Sequence, residues 1–166
     1  MNNNNKNILL RSFVAAASYE EELVGGRHSA RPLTSIATLN GGVIVVGGWS
    51  GALLSCANKK SRSLSLANDW IMAIAAPRDG GDVRLRTLVA VATRNSKVTL
   101  VRVADATAAP VALCSIDLVK YDFARGVALA ADATRLICAC NSGVCLLSRE
   151  DNEMLYWVCF VFVEST

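Results

Sequence analysis

Short apolar segments separated by polar turns dominate the sequence from Leu33 onward. Val43–Val46 and Leu88–Ala92 are apolar runs of four and five residues, a length typical of buried strands and too short for helices. Asn-Gly and Gly-Gly pairs border such runs, as at Asn40–Gly42, and they favour tight hairpin connections. The pattern therefore predicts an all-β chain of antiparallel strands.

The predicted strands fall into three successive groups. The basic segment Lys59–Arg62 between the first two groups is interpreted as a solvated loop, with a phosphate contact as the alternative. The strands are Leu33–Leu39, Val43–Val46 and Ala52–Cys56, then Ile71–Ala76, Leu88–Ala92 and Lys97–Val103, then Gly126–Ala130, Leu136–Ala139, Val144–Ser148 and a final apolar strand at Trp157–Val163.

One turn recurs in each of these groups and reveals an internal repeat. Gly47–Gly51 aligns with Ala92–Ser96 and with Ala139–Gly143, so the steps from 47 to 92 and from 92 to 139 are 45 and 47 residues. A period near 45 residues with several strands per unit is the signature of propeller blades. A β-sandwich with similar hairpins stays open as an alternative, because strand spacing alone does not separate the two architectures.

The first 30 residues follow a different pattern. Residues 1–7 are polar and Asn-rich, which predicts a disordered tip. Within residues 8–30, the spacing of Leu9, Phe13 and Ala16 predicts a short helix followed by a linker. The predicted organisation is therefore a tip at 1–7, a helix and linker at 8–30, and a partial propeller at 31–166.

Composition and charge narrow the class of protein. The chain is 52% hydrophobic and 19% charged with a net charge of +3, which is typical of a folded domain and weakly basic for a nucleic-acid binder. The longest apolar run, Leu155–Val163, has nine residues, whereas a membrane helix needs about 20. Without a secretory signal at the N-terminus, we expect an intracellular soluble protein with no membrane partner.

The sequence holds no convincing catalytic, cofactor or metal motif. Gly48–Ala52 resembles a G-x-S-x-G nucleophile elbow, but no helix is predicted after Ser50 and the single histidine lies upstream. The paired glycines fit no phosphate-binding motif. The tightest cysteine group, Cys138-x-Cys140-x4-Cys145, lacks the paired spacing of a zinc site and is interpreted as buried thiols. We therefore expect no cofactor, no metal and no enzymatic activity.

The repeats resemble WD40 repeats, most clearly over Val43–Leu53. Ser50, Asn95 and Ser142 stand where that family places a turn aspartate, and Cys56, Val101 and Ser148 stand at its closing tryptophan. The resemblance implies a β-propeller that acts as a non-catalytic scaffold for other proteins. The departures imply blades held by apolar packing, with Ser and Asn bonding the turns locally.

Within that family, the chain most resembles the WD40 splicing proteins of the U4/U6 small nuclear ribonucleoprotein, of the pre-mRNA processing factor four type. The resemblance rests on Arg31-Pro32-Leu33, on Trp49-Ser50-Gly51 and on the upstream Leu10–Phe13. It implies a nuclear splicing role with splicing-factor partners and with U4/U6 RNA contacted directly or through them. It also implies that Leu155-Tyr156 leads into a further blade. The alternatives are a WD40 scaffold of a vesicle coat, nuclear pore or ubiquitin ligase adaptor, or a small all-β enzyme.

Four residues are the candidates for partner binding. Trp49, Arg94 and Asn141 occupy equivalent turns, which share one rim of a propeller, and Arg31 belongs to the segment that enters the first blade. Tryptophan and arginine are enriched in binding hot spots. For Trp49, packing against the neighbouring blade or the N-terminal helix is the alternative role. Because propellers usually have four to eight blades, we expect further blades or another subunit to complete the ring.

Overall fold

The computed structural model describes residues 32–57, 60–66, 69–77, 85–104, 108–118, 123–149 and 155–162, the last segment by its backbone. The predicted tip, the predicted N-terminal helix and Arg31 lie outside these residues. The domain limits proposed from the sequence therefore remain predictions.

Within these described segments, twelve strands form three four-stranded antiparallel sheets, and each sheet is one blade. This confirms the prediction of an all-β chain with about three propeller blades. Two single turns of 3-10 helix, Asn40–Gly42 and Leu85–Thr87, precede the second strands of the first two blades. Blade 1 contains β1 (Leu33–Leu39), β2 (Val43–Gly48), β3 (Ala52–Ala57) and β4 (Lys60–Ser65); blade 2 contains β5 (Ile71–Ala75), β6 (Leu88–Thr93), β7 (Lys97–Arg102) and β8 (Val111–Asp117); blade 3 contains β9 (Ala124–Leu129), β10 (Arg135–Cys140), β11 (Gly143–Arg149) and β12 (Leu155–Phe162).

Each blade is a meander in which sequence neighbours pair as sheet neighbours. The first strands of successive blades also lie next to each other, β1 beside β5 and β5 beside β9. Stacking the blades on their first strands is the arrangement of a propeller, in which those strands surround the axis.

The blade 1–blade 2 interface is an apolar cluster with contributions from both sheets. Val45 and Leu53 of blade 1 pack with Ile71, Val89 and Val91 of blade 2, and all five are fully buried. Burial of side chains of this size contributes about 1.5–3 kcal/mol each relative to exposure. The interface therefore supplies much of the stability of both blades.

The blade 2–blade 3 interface uses smaller side chains. Ala90 and Ala92 of β6 pack against Leu136, Cys138 and Leu147 of blade 3. Because residues alternate between the two faces of a strand, Val89 and Val91 face blade 1 while Ala90 and Ala92 face blade 3. All six residues of β6 are consequently buried.

Polar bonds cross the first interface near the axis. The Ile74 amide donates to Ser35 Oγ at 2.8 Å, and Thr34 Oγ1 donates to the Ile71 carbonyl. These bonds connect β1 with β5 although the two strands belong to different sheets. They fix the relative position of the two blades, which apolar packing alone would leave less specific.

The turns are bonded locally by serine and asparagine, as the sequence predicted. Ser50 Oγ accepts a hydrogen bond from the Ala52 amide at 3.3 Å. Thr93 Oγ1 donates a hydrogen bond to Asn95 Oδ1 at 2.5 Å and lies 3.1 Å from the Lys97 carbonyl oxygen. Short polar side chains of this kind replace backbone partners that a tight turn leaves unbonded.

Two expectations about the outer strands were wrong, and one outer strand was missed. Part of the predicted loop at Lys59–Arg62 is strand, because β4 begins at Lys60 and pairs with β3. Strand β8 was not predicted. Leu155-Tyr156 is not a connection between blades, since it begins β12, which pairs with β11 as the outer strand of blade 3. Strands β4 and β8 carry weaker apolar patterns than the strands inside their blades, with the sequences KSRSLS and VALCSID, because part of their residues is exposed.

Blade 3 presents an apolar face on the side away from blade 2. Ile137 is 48% exposed and Val144 is 37% exposed, and both lie on the face opposite Cys138. The corresponding face of blade 2 is the one that packs on blade 3.

In the part of the chain that the structure describes, no helix is long and apolar enough to cross a membrane.

Gly47 is required by the close approach of blades 1 and 2. A Cβ at this position would lie 2.6 Å from Ile71 Cγ2 and 3.0 Å from Ile71 Cβ. We expect Gly47→Ala to lower the free energy of unfolding by about 1–3 kcal/mol through overpacking, measured by chemical denaturation. Gly126→Ala is the matched control, because its Cβ would meet Ala139 Cβ at an ordinary 3.9 Å.

The destabilisation caused by Gly47→Ala should depend on the side chain of Ile71. In an Ile71→Ala background, the Gly47→Ala substitution should cost less than in the wild-type chain, since the clashing methyl groups are gone. An equal penalty in both backgrounds would show that the glycine acts through its backbone and not through this contact.

The apolar face of blade 3 should make the 166-residue chain self-associate. We expect Ile137→Lys or Val144→Lys to shift the chain toward monomer in light scattering after gel filtration, because the substituted side chain is solvated only in the monomer. Val111→Lys is the control, since Val111 is 55% exposed at the start of β8. Equal effects of all three substitutions would contradict association through this face.

Candidate partner-binding rim

The turns between the second and third strands of the blades line up on one rim, called here the ladder rim. In each blade, the first residue of this turn donates its amide to the residue that precedes the first strand. The three bonds are Trp49 N–H to the Pro32 carbonyl at 3.2 Å, Arg94 N–H to the Trp70 carbonyl at 2.8 Å, and Asn141 N–H to the Phe123 carbonyl at 3.2 Å. The three predicted positions are therefore structurally equivalent.

Side chains on this rim form a stacked ladder of Trp49, Trp70, Arg94 and Phe123. The indole rings of Trp49 and Trp70 are 4.2 Å apart between centroids and inclined by 4°. The Arg94 guanidinium lies 4.6 Å from the Trp70 centroid and 5.7 Å from the Phe123 centroid. Aromatic stacking and cation–π contacts are each worth about 0.5–1.5 kcal/mol, so the ladder is held in one arrangement.

The ladder crosses both blade interfaces. Trp49 belongs to blade 1, whereas Trp70 and Arg94 belong to blade 2 and Phe123 precedes blade 3. A turn residue of one blade thus contacts the residue that precedes the next blade, and this happens twice. The rim is consequently a continuous surface across three blades.

Asn141 continues the rim through a polar contact. Its Oδ1 accepts a hydrogen bond from Arg125 Nε at 2.6 Å. Both residues are exposed. The rim therefore carries two guanidinium groups, those of Arg94 and Arg125, each held in position by a neighbouring side chain.

Large parts of the ladder remain accessible. Trp49 is 39% exposed and Phe123 is 40% exposed, and Arg94 is also exposed. A guanidinium between aromatic faces keeps its N–H donors at its edge, where they match a carboxylate or another planar acceptor. The arrangement combines apolar area with fixed hydrogen-bond donors, which is the chemistry of a protein-binding surface.

The sequence-predicted site residues divide into three cases. Trp49 packs on the neighbouring blade, the alternative considered from sequence, and still exposes part of its ring. Arg94 and Asn141 lie on the same rim at equivalent places. Arg31 is outside the described residues. Their role in binding a partner stays a prediction.

Trp70, Phe123 and Arg125 were missed by sequence reasoning. The available signal was positional: Trp70 and Phe123 each stand one residue before the first strand of a blade, as Pro32 does. An alignment of the residues before the first strands, in addition to the turns, would have found the two aromatic residues. Arg125 had no such signal, because its contact with Asn141 depends on the strand pairing.

The G-x-S-x-G match at Ser50 is not a nucleophile elbow. Ser50 lies in a hairpin turn followed by strand β3, whereas an elbow needs a turn from a strand into a helix. Its hydroxyl oxygen accepts a backbone amide of the same turn. The residue therefore has a structural role in the turn.

Three thiols that the sequence placed in the core come together in blade 3. Cys138 and Cys140 share one face of β10, and Cys145 pairs with Cys138 from β11. Their sulfur atoms all lie within 4.8 Å of one another, and the Cys140 and Cys145 sulfurs are 4.0 Å apart. Antiparallel pairing thus brings together thiols on two different strands, although their spacing in the sequence is not that of a zinc site.

The thiols differ in their environments. A side-chain hydrogen bond with Cys145, together with burial, raises the pKa of Cys138 well above its usual range. The same bond lowers the pKa of Cys145 to about 7. Cys138 and Cys145 are buried, whereas Cys140 is partly exposed.

The Trp49–Trp70 stack should couple blades 1 and 2 energetically. We expect a double-mutant cycle of Trp49→Ala and Trp70→Ala to give a coupling free energy of about 0.5–1.5 kcal/mol, measured by chemical denaturation. The control cycle pairs Trp49→Ala with Val111→Ala and should be additive, because Val111 lies on strand β8 at the opposite rim. Additivity in the first cycle would contradict the stack.

The comparison with solved structures agrees with this architecture. No protein-family model matches the sequence, and the search of curated proteins finds no match. Among solved structures, the chain is similar to the crystal structure of RRP9 WD40 repeats, with a TM-score of 0.65 at 12% sequence identity. The similarity covers 82% of this chain and 40% of the RRP9 chain, so this chain spans less than half of that length. The described fold is that of three blades of a WD40-type β-propeller.

Proposed function

We propose that this chain is part of a non-catalytic WD40 scaffold that binds a protein partner through the ladder rim. The observation that carries the proposal is the stacked ladder, which is exposed and yet fixed by its own contacts. Side chains that are already ordered lose little entropy when a partner binds. Tryptophan and arginine in such positions are the residue types that dominate binding energy at interfaces.

The partner surface that fits the ladder rim is apolar with a carboxylate or an exposed carbonyl group. The faces of Trp49 and Phe123 offer apolar area, and Arg94 offers paired donors between them. Arg125 adds a second cation beside Asn141. Acidic segments that also carry aromatic or aliphatic side chains match this combination best.

In its more specific form, the proposal is a nuclear role in pre-mRNA splicing, with partners in the U4/U6 particle. Its support is the sequence resemblance over Arg31–Leu33 and Trp49–Gly51. A scaffold in another multi-protein complex is the alternative, and it shares the same rim. The identity of the captured proteins and RNAs distinguishes the two.

Substitutions on the rim should weaken capture of the partner without unfolding the chain. We expect Trp49→Ala and Arg94→Ala each to lower the affinity by about tenfold or more, because hot-spot truncation costs roughly 2 kcal/mol. Arg94→Lys should also bind weakly, since an ammonium group does not stack as a planar guanidinium does. The measurement is a tagged pull-down from cell extract, read by mass spectrometry and small-RNA sequencing.

Arg102→Ala is the matched control, because Arg102 is exposed at the far end of β7, away from the ladder rim. Recovery of U4 and U6 RNAs with splicing proteins would support the specific proposal. Proteins of another complex without those RNAs would overturn the splicing role and leave the scaffold. Equal capture by wild type and all rim variants would overturn the rim as the binding surface.

A further inference from the structure

The three-cysteine cluster of blade 3 has the geometry of a metal site. In tetrahedral zinc sites the Zn–S distance is about 2.3 Å, so two coordinating sulfurs lie about 3.8 Å apart. The Cys140–Cys145 separation is 4.0 Å, and all three sulfurs lie within 4.8 Å of one another. Sulfur displacements of less than about 1 Å would bring all three onto one ion.

The sheet provides both room and access for an ion. Gly143 is the register partner of Cys140, so no side chain stands opposite Cys140 on that face of the sheet. Cys140 is also partly exposed, whereas Cys138 and Cys145 are buried. An ion can therefore enter beside Cys140 and be held deeper by the other two sulfurs.

The surroundings favour a soft ion over a hard one. The sulfurs lie in the apolar cluster between blades 2 and 3, together with Ala92 and Leu136. A hard cation such as Mg²⁺ or Ca²⁺ needs several oxygen ligands, whereas thiolates select Zn(II) and Cu(I). Zn(II) would add one external ligand at the exposed side, while Cu(I) is satisfied by three sulfurs.

We propose that Cys138, Cys140 and Cys145 form a three-thiolate binding site for a soft, thiophilic metal ion, Zn(II) or Cu(I), within the interface of blades 2 and 3. The ion links strands β10 and β11 beside the turn that carries Asn141. The ion thereby stabilises the part of the ladder rim around Asn141, which has no stacked aromatic side chain.

The test uses the reduced full chain, stripped of metal and titrated separately with Zn(II) and with Cu(I) against calibrated competing chelators. Native mass spectrometry gives the stoichiometry, which should be one ion per chain for the ion that the site takes. At a free ion concentration about 100 times the Kd, the Tm should rise by roughly 5–10 °C. The two titrations show which of the two ions binds.

Cys140→Ser is the informative variant, because Cys140 is partly exposed and its replacement leaves the buried thiols intact. It should bind at least tenfold more weakly and lose the rise in Tm, while its circular dichroism stays that of the wild type. Cys114→Ser, at a similarly half-buried thiol on β8, is the matched control and should bind within about twofold of wild type. Failure of both ions to bind the reduced chain, or equal binding by Cys140→Ser and wild type, would overturn the site.

Discussion

The packing of one sheet directly on the next is the interaction on which the rest of this structure depends. This packing requires both faces of the middle sheet to be buried, as strand β6 illustrates. Val89 and Val91 face blade 1, whereas the alternate residues Ala90 and Ala92 face blade 3. A strand in the middle of a stack has no solvated face, so β6 is apolar from Leu88 to Ala92 and even its last residue, Thr93, is buried. The distance between sheets is then set by side-chain size, and at Gly47 it leaves no room even for a methyl group beside Ile71.

The ladder rim follows from this stacking. When two sheets are held at a fixed separation, the turn of one blade comes opposite the residue that begins the next. Trp49 meets Trp70 in this way, and Arg94 meets Phe123. Each turn donates a backbone amide hydrogen bond to the residue before a first strand, and these hydrogen bonds hold both partners of each side-chain contact in place. The packing of the core therefore determines where the ladder side chains lie, and no separate structural element is needed to hold them.

Much of this architecture could be predicted from sequence, and the failures have a physical cause. Strand β1 was predicted with its observed limits, and the repeated turns gave the number of blades, because inner strands and tight turns carry strong local signals. The first half of the outer strand β4, Lys60–Arg62, was interpreted as part of a loop because the segment is basic and has no apolar residue. The contacts of the site were hidden for another reason: Trp49 and Trp70, or Cys138 and Cys145, meet only after strands and sheets have paired.

The three rim turns differ in length in a way that has its own consequence. Three residues connect β2 with β3 and β6 with β7, whereas two residues, Asn141 and Ser142, connect β10 with β11. The sheets keep the same order despite this difference, so the length of the turn is not what holds a blade together. The ladder rim is accordingly a row of turns whose lengths can differ while the sheets keep their strand order. Such a row lets a propeller acquire new recognition properties by exchanging turns, and it makes this chain a suitable frame on which to display grafted peptide segments.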